Sequence, residues 1–351
     1  MKRVRFNDVL EIKNGRNQRL VENPEGRYPI YGSGGVMGYA NDYICNADTV
    51  VVGRKGNINK PLYVEEPFWN VDTAFGLEAN KESLLPRYLY YFCRCFDFER
   101  LNKAVTIPSL TKSDLLDIEM DLPVINEQER IVEKLYKIET VIEKRNTELE
   151  MLDELIKARF VEMFGEPIAN PMNWDVKPLK SLSTLITNGN TPKGGSENYI
   201  DSGIMFLRSQ NVWRNRIELD EVAYIDERTH NAMRKSSLRH KDILITKTGR
   251  INTENSSLGR AALFLGEDDS ANINGHVYLV RLDGSVVPEF VVTILTGEAY
   301  RRYIRKVCVG GIDKRQINVD QVEDFPIIMP PYEKQLEFAA FKDQVDKSKL
   351  S

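Results

Sequence analysis

The stretch YGSGGVMGY, Tyr31 to Tyr39, contains four glycines in nine residues, a density found in phosphate-binding loops. A dinucleotide-binding loop has glycines at its first, third and sixth positions, because the backbone must approach a pyrophosphate at a helix N-terminus. Here the sixth position is Met37. A P-loop closes with Gly-Lys-Ser/Thr, and no lysine lies between Arg27 and Lys55. We therefore interpret the glycines as turn formers that permit positive φ.

The other motifs that could support catalysis are incomplete. An adenine amino-methyltransferase needs an Asp- or Asn-Pro-Pro-aromatic loop to hold the target amino group. The string NPMNW at Asn170 lacks the second proline, and MPPYEK has Met329 where an amide or carboxylate must accept a hydrogen bond. The sequence has no GxxxxGK(S/T) motif, and Asp268-Asp269 lies in the polar string EDDSAN, which is typical of a solvated turn. We predict a chain that is not an enzyme by itself.

Composition and charge narrow the class of protein further. The chain has 351 residues, enough for two domains, and a formal charge of −4, which argues against a protein that coats nucleic acid unaided. It has neither an early apolar run of the signal type nor an 18-residue apolar stretch, so we expect a cytoplasmic chain. Cys93 and Cys95 lack a second thiol pair and a nearby histidine, which predicts buried helix cysteines and no metal site.

The sequence contains an internal repeat, in which similar segments occur in the same order in both halves of the chain. The repeat determines where any site residues are placed. The matched positions, first copy before second, are Asn14-Gly15 with Asn188-Gly189, Asp48 with Asp242, Gly56 with Gly249, Asn70 with Asn272, Pro86 with Pro288, Pro123 with Pro330, and Gln128 with Gln335. The offset grows from 174 to 207, so the second copy carries insertions. The sequence therefore predicts two homologous α+β units in tandem.

A heptad pattern follows the first unit and predicts a long helix over Asn126–Met163, about 57 Å at 1.5 Å per residue. Its apolar stripe needs a partner, and the counterpart in the second copy begins at Glu333 and provides only about half that length. The positions expected to pair are Ile131, Leu135, Ile138, Ile142, Leu149, Leu152 and Ile156 in the first helix, and Phe338 and Val345 in the second.

Two similar units separated by a long helix suit a polymer with a helical period, since one turn of DNA is about 34 Å. The ordered set YPIYGSGGVMGY, LPVINEQERI before a long helix, and MPPYEKQ in the second unit resembles the specificity subunit of type I restriction-modification enzymes over essentially the whole chain. The resemblance implies two target recognition domains, 1–125 and 166–332. It also implies two spacer helices, 126–165 and a shortened 333–351, that pair as an antiparallel coiled coil.

The resemblance also implies partners and cofactors. Each recognition domain would read half of a bipartite sequence in double-stranded DNA, and the helices would dock methyltransferase subunits and a restriction/translocase subunit. S-adenosylmethionine, ATP and magnesium would belong to those subunits, and this chain would hold no cofactor. The shortened second helix leaves an alternative, a scaffold or decoy that binds partner subunits or itself and directs no modification.

Proteins that read DNA use cations for phosphates and Arg, Lys, Asn or Gln for base edges. Polar loops follow equivalent strands in both units, and solvated hairpin tips remain the alternative for any single residue. The candidates in the first unit are Arg54, Lys55, Asn57, Asn59, Lys60, Ser109 and Lys112. The candidates in the second are Arg208, Ser209, Gln210, Asn211, Lys247, Thr248, Arg250, Asn252, Lys314, Arg315 and Gln316. The glycine-rich turn could add a backbone contact to DNA.

Overall fold

The computed structural model describes residues 2–102, 107–192, 194–253 and 255–350. The chain forms two compact units, Met1–Asn146 and Thr147–Ser351, and the boundary between them falls inside one long helix. Each unit combines small sheets with helices, which confirms the predicted α+β class.

The first and last strands of unit 1 pair antiparallel with each other, and the last strand directly precedes the long helix. Its strands and helices are β1 (Lys2–Arg5), α1 (Phe6–Val9), β2 (Leu10–Asn14), β3 (Tyr28–Gly32), β4 (Gly35–Ala40), β5 (Thr49–Gly53), β6 (Leu62–Val64), β7 (Trp69–Asn70), β8 (Ala74–Ala79), α2 (Pro86–Cys95), α3 (Lys112–Leu116), β9 (Glu119–Leu122) and the start of α4 (Ile125–Phe164). A short 3-10 helix spans Phe98–Leu101.

Unit 2 repeats this order with longer connections. Its strands and helices are β10 (Val176–Pro178), β11 (Ser183–Asn188), β12 (Ile204–Leu207), β13 (Ala223–Ile225), α5 (Glu227–Ala232), β14 (Ile243–Thr246), β15 (Thr248–Arg250), β16 (Ala261–Leu263), β17 (Ala271–Ile273), β18 (Val277–Leu282), α6 (Pro288–Thr296), α7 (Glu298–Val307), β19 (Val309–Gly310), β20 (Lys314–Gln316), α8 (Val319–Glu323), β21 (Pro326–Ile328) and α9 (Tyr332–Ser348). Short 3-10 helices lie at Leu179–Leu182, Gly195–Asn198 and Arg234–Ser236.

The two main sheets have the same strand order in both units, which supports the repeat, and unit 2 adds the sheet β15-β20-β19. The antiparallel sheet β2-β8-β5-β6 of unit 1 corresponds to β11-β18-β14-β16 of unit 2. The sheet β4-β3-β7 corresponds to β13-β12-β17, and each contains one parallel pair. The second copy therefore preserves the scaffold and places its extra residues in connections.

The strands β5 and β14 are buried on both faces, which explains their continuous apolar runs TVVVG and ILIT. In unit 1, Val50 and Val52 face the core under helix α2, while Val51 faces a second cluster with Phe68. In unit 2, the side chains of β14 alternate between two clusters in the same way. These strands carry the loops that hold the candidate site residues.

The strand register corrects one match of the repeat. Val50 pairs with Leu77 and Ile243 with Val280 at equivalent places in the two sheets, so Asp48 corresponds to Lys241 and not to Asp242. Asp48 and Lys241 both have positive φ, 60° and 67°. The sequence match followed the identical residue type and therefore missed the backbone conformation that the two positions share.

The Asn-Gly pairs at the ends of β2 and β11 have a common physical reason. A Cβ on Gly15 would collide with the backbone carbonyl of Val71, and a Cβ on Gly189 would collide with the carbonyl of Ile273. Glycine is required where two backbones approach this closely. The equivalent collision in both units supports the match that the repeat predicted.

Two buried glutamines at equivalent positions connect the first turn of each spacer helix to its own unit. The Gln128 side-chain oxygen accepts a hydrogen bond from the Leu85 N–H at 2.8 Å, and Gln335 accepts one from the Val287 N–H at 3.0 Å. Each also donates to the carbonyl of a proline before its helix, at 2.9 Å. The accepted bonds satisfy the N-caps of α2 and α6, whose first helical residues are prolines.

The C-terminal part of α4 packs antiparallel against α9 within unit 2. The order of the ion pairs shows the direction, because Arg159 contacts Glu337 and Asp153 contacts Lys349. Leu152 and Ile156 contact the core of unit 2 as expected, and Phe338 and Val345 of α9 are buried there.

The predicted seam is wrong in two respects. Phe160 and Phe164 make the aromatic contacts with Phe338, although the aliphatic heptad pattern did not include them. Ile138 and Ile142 were expected to pair, but they are 55% and 54% exposed. The reason is that α9 has reached its last residues where Lys349 meets Asp153, so it does not extend along this part of α4. Of the remaining predicted positions, Ile131, Leu135 and Leu149 are half-buried.

Candidate nucleic-acid interface

In unit 1, two distant segments that carry candidate residues meet beside the end of β5. The Leu110 N–H donates to the Arg54 carbonyl at 2.9 Å, and the Gly56 N–H donates to the Pro108 carbonyl at 3.1 Å. Lys55 and Ser109 form a β-bridge between these bonds. The structure thus brings the Arg54–Lys60 loop and Ser109 onto one edge.

The same arrangement recurs in unit 2. Strand β15 pairs antiparallel with β20, which places Thr248 opposite Gln316 and Arg250 opposite Lys314. The Ile317 N–H donates to the carbonyl of Lys247 at 2.9 Å, as the Leu110 N–H does to Arg54 in unit 1. These two N–H donors are 207 residues apart, the offset that relates the two glutamines.

Most candidates on these two edges are accessible. The exposed ones are Arg54, Lys55, Asn57, Asn59 and Lys60 in unit 1, and Arg250, Asn252, Lys314 and Gln316 in unit 2. Ser109, Lys247, Thr248 and Arg315 are half-buried. Exposed cations and amides on an edge can reach phosphates and base edges, which lie on the outside of a duplex.

Asn59 and Lys112 have structural contacts that sequence patterns could not reveal. The Asn59 side-chain oxygen accepts from the Phe98 N–H at 2.7 Å, and its amide donates to Asp97 at 3.0 Å. Lys112 is the first residue of α3, and its Nζ donates to the Ile12 carbonyl at 2.8 Å. Both side chains therefore support the loop through contacts within unit 1, and their contact with DNA stays a prediction.

The run Arg208–Asn211 follows β12, at the place where the glycine-rich turn follows β3 in unit 1. Asn211 is 2% exposed, and its amide donates to the Glu218 carbonyl at 3.0 Å while its oxygen accepts from the Arg208 N–H. We therefore correct its assignment to a structural role, because burial removes it from any base edge. Gln210 is exposed, and Ser209 and Arg208 are half-buried.

The glycine-rich stretch forms the hairpin between β3 and β4, in agreement with its interpretation as a turn. Gly35 has a φ of +117°, which favours glycine. A Cβ on Gly32 would lie 2.6 Å from the sulfur of Met37, an exposed and flexible side chain that could move aside. The tip approaches Asn57, whose amide nitrogen would be 3.9 Å from a Cβ on Gly34. The hairpin therefore adjoins the candidate loop of unit 1.

Asn70 and Asn272, which the repeat matched, are buried supports rather than contacts. Asn272 donates to the Met233 carbonyl at 3.1 Å and to the Ser236 hydroxyl at 3.3 Å, and its oxygen contacts the ring nitrogen of His230. The Asn70 side-chain oxygen, in the orientation that satisfies its neighbours, accepts from the Gly15 N–H at 3.2 Å and the Gly76 N–H at 3.3 Å. These bonds hold β17 and β7, beside the strands that lead into the candidate loops.

Sequence reasoning missed a set of arginines in unit 2. They are Arg214, Arg216, Arg260, Arg301 and Arg305, which come from three separate segments. The signal in the sequence was the run RRYIRK at 301–306, shortly before the candidate string GIDKRQ. Sequence alone did not indicate that the other arginines fold beside it.

The described residues show neither a metal-binding cluster nor a membrane-spanning helix. In the part of the chain that the structure describes, no group of three or more His, Cys, Asp or Glu is placed to hold a metal ion. Cys93 is buried as predicted, but Cys95 is exposed, because it lies at the last position of α2, away from the sheet. No helix among the described residues has the length and apolar character needed to cross a bilayer.

Comparison with known proteins finds similarity to type I specificity subunits. Residues 1–151 match the family described as "Type I restriction modification DNA specificity domain". The putative type I restriction enzyme MjaX specificity subunit of Methanocaldococcus jannaschii is 25% identical over 177 residues, 50% of this chain and 40% of that protein. The type I restriction enzyme EcoBI specificity subunit of Escherichia coli is 20% identical, over 94% of this chain and 74% of that protein.

The likeness extends to the fold. The crystal structure of a type I restriction-modification system S subunit from M. genitalium aligns with a TM-score of 0.62 and 15% identity, covering 99% of this chain and 90% of that chain. The match to the MjaX subunit spans less than half of that relative's length. Residues 1–151 thus match the type I specificity domain, the chain is similar in sequence to type I specificity subunits, and its fold is that of a solved S subunit.

Proposed function

We propose that this chain reads a bipartite sequence in double-stranded DNA, one half with each unit, and directs methyltransferase and restriction subunits to it. The proposal is based mainly on one observation, that both units have the same candidate edge beside their central buried strand. In both units the loop after the central buried strand bonds to a segment that lies just before the spacer helix. A single polar loop would be unremarkable, but two equivalent ones fit two half-sites.

The side chains on the two edges differ, as expected for two different half-sites. Unit 1 presents Arg54, Lys55 and Asn57, while unit 2 presents Arg250 and Gln316. Arginine suits guanine and amides suit adenine in the major groove, so different sets favour different bases. The backbone arrangement common to both units determines the positions of these side chains, and their chemical identity determines which DNA bases each unit would bind.

Chemistry would be supplied by partner subunits in the cytoplasm. We assign S-adenosylmethionine to the methyltransferase subunits, and ATP and magnesium to the restriction/translocase subunit, since this sequence contains no complete motif for either reaction. The alternative of a scaffold or decoy is not favoured, because both units keep an exposed polar edge and the relatives are specificity subunits.

Methylome sequencing tests the proposal. Cells carrying this gene and a methyltransferase gene of the same system are compared with cells carrying the methyltransferase gene alone. We expect a new methylated motif with two short defined halves and a fixed gap. If the proteins co-purify and no motif appears, the proposal is wrong and the chain is a scaffold.

A further inference from the structure

Five arginines of unit 2 converge beside the candidate edge. Arg214 and Arg216 lie in the connection between β12 and β13, Arg260 lies just before β16, and Arg301 and Arg305 lie on helix α7. Arg214 and Arg301 share Glu298, and Arg216 and Arg260 share the Trp213 ring. Arg305 is close enough that its charge lowers the pKa of Arg214. None of the five belongs to the set of side chains proposed above to read bases.

Glu298 organises one side of the cluster. Its Oε1 atom lies 3.3 Å from the Arg214 Nη1 and 2.8 Å from the Arg301 Nη1, so one carboxylate oxygen serves two guanidinium groups. The Glu298 side chain is 64% exposed, whereas that of Arg214 is 35% exposed. The carboxylate is therefore the accessible and replaceable member of this group.

Trp213 organises the other side. The guanidinium carbon of Arg260 lies 3.8 Å from the centre of the Trp213 ring, and that of Arg216 lies 5.2 Å from it. Arg216 also pairs with Glu218 at 2.7 Å. Arg260 is 8% exposed and also donates to the Ser256 and Asn255 carbonyls, so it supports the cluster, whereas Arg216 is exposed and can reach a ligand.

Positive charge accumulates here. Burial, followed by the charge of Arg301, lowers the pKa of the Arg214 guanidinium. Burial also lowers the pKa of Arg260, with further contributions from Arg214, Arg216 and Arg301. The carboxylates of Glu298 and Glu218 offset part of this charge, and a bound anion would relieve further like-charge repulsion.

The cluster is attached to the loops of the candidate interface. The Trp213 ring N–H donates to the Gln210 carbonyl at 3.0 Å. The Arg260 Nε donates to the Ser256 carbonyl at 3.0 Å, in the loop that follows β15 and contains Asn252. An anion bound to the cluster would therefore lie beside the side chains proposed to read bases.

We infer that the cluster binds phosphates of the DNA backbone and anchors unit 2 on the duplex independently of sequence. This inference rests on the proposed function and adds a second kind of contact to it. Guanidinium groups match phosphate oxygens in geometry, and phosphate contacts set the register of a protein on DNA without reading bases. In unit 1 the sequence has no lysine or arginine between Arg27 and Arg54, so the hairpin there offers no equivalent cations.

The test is the salt dependence of DNA binding by the complex of this chain with its methyltransferase subunits. Arg214→Ala and Arg305→Ala should each reduce the slope of log K against log salt by about 0.9, the value for one phosphate contact. Affinities for target and non-target DNA should fall by the same factor, and the methylated motif should not change. Arg3→Ala is the matched control, because Arg3 is an exposed arginine that pairs with Glu119 far from these loops in the sequence.

Glu298→Gln provides a test that does not depend on removing an arginine. It removes the competing carboxylate, so affinity for any duplex should rise. Unchanged slopes in the arginine variants, or unchanged affinity in Glu298→Gln, would show that the cluster is only structural. If the wild-type complex binds DNA without salt dependence, the inference is wrong. If the complex binds DNA but selects no motif, the proposed function is wrong, and the salt dependence of the arginine variants still tests the phosphate contact.

Discussion

Arg250 and Lys314 lie directly opposite each other on strands β15 and β20, although 64 residues separate them in the sequence. Like charges in this position destabilise a sheet by up to about 1 kcal/mol. Asp313 pairs with Arg250 at 3.2 Å, which leaves this small group with a net positive charge. An anionic ligand bound at this sheet edge would offset the repulsion between the two cations.

Replacing Arg250 and Lys314 should lower the affinity for DNA and leave the stability of the protein nearly unchanged. We expect Arg250→Ala/Lys314→Ala to weaken DNA binding by the complex while the free energy of unfolding changes by less than about 0.5 kcal/mol, because both side chains are exposed. Gel-shift titration and urea unfolding measure the two quantities. Arg250→Lys keeps the charge and should retain most non-specific affinity. A large loss of stability with intact binding would contradict the assignment.

Two asparagines of the same loop should behave in opposite ways. Asn59→Ala leaves the Phe98 N–H without its partner and should lower the free energy of unfolding by about 1–3 kcal/mol. Asn57→Ala removes an exposed side chain and should change DNA binding with little effect on stability. Chemical denaturation and DNA titration of both variants check this. Equal effects of the two variants on stability would argue against the division between support and contact.

The buried ion pair of Asp242 should be essential for unit 2. Asp242 is 2% exposed and receives two bonds from Arg281, at 2.9 and 2.6 Å. Asp242→Asn should lower the free energy of unfolding by up to about 3 kcal/mol, because the partly buried Arg281 guanidinium, 20% exposed, loses its counter-charge. Asp48→Asn in unit 1 is the comparison, and it should cost far less, since its partner Lys81 is largely exposed. Thermal unfolding that ranks the two variants in the reverse order would refute this.

Asp48 should also make unit 1 sensitive to acid. A hydrogen bond from Lys81, aided by one from Tyr63, lowers the pKa of the Asp48 carboxyl below its ordinary value of about 3.9. Its contribution to stability is therefore present above the unfolded pKa and is lost as the pH falls through the lower folded pKa. The difference in unfolding free energy between wild type and Asp48→Asn should be constant near neutral pH and shrink below about pH 4. A difference that persists at pH 2 would contradict this.

The architecture could be predicted from the sequence because the repeat provides two independent copies of the same pattern of strands and helices. Matched glycines, prolines and glutamines marked the strand ends and helix starts, and the sheet order bears them out. The chemistry of individual polar residues was harder to assign. Asn57 and Asn211 have the same side chain, and only the fold shows that one is exposed and the other buried.

The missed features share one physical cause, which is contact between distant segments. Phe160 meets Phe338 across two helices, and an aliphatic heptad pattern does not include it. Arg260 reaches Trp213 from a position 47 residues further along the chain, so local patterns do not indicate the cluster. Likewise, a loop pattern does not show that the long side chain of Lys112 folds back to the Ile12 carbonyl.

The central claim is that each unit reads its own half of the target, and methylome sequencing of edge variants tests it most directly. Cells would carry the methyltransferase gene with the wild-type chain, Asn57→Ala or Gln316→Ala. We predict that Asn57→Ala alters or relaxes bases in one half of the motif, and that Gln316→Ala alters only the other half, with the gap unchanged. Changes in the same half from both variants, or an unchanged motif with normal methylation in both, would contradict the account.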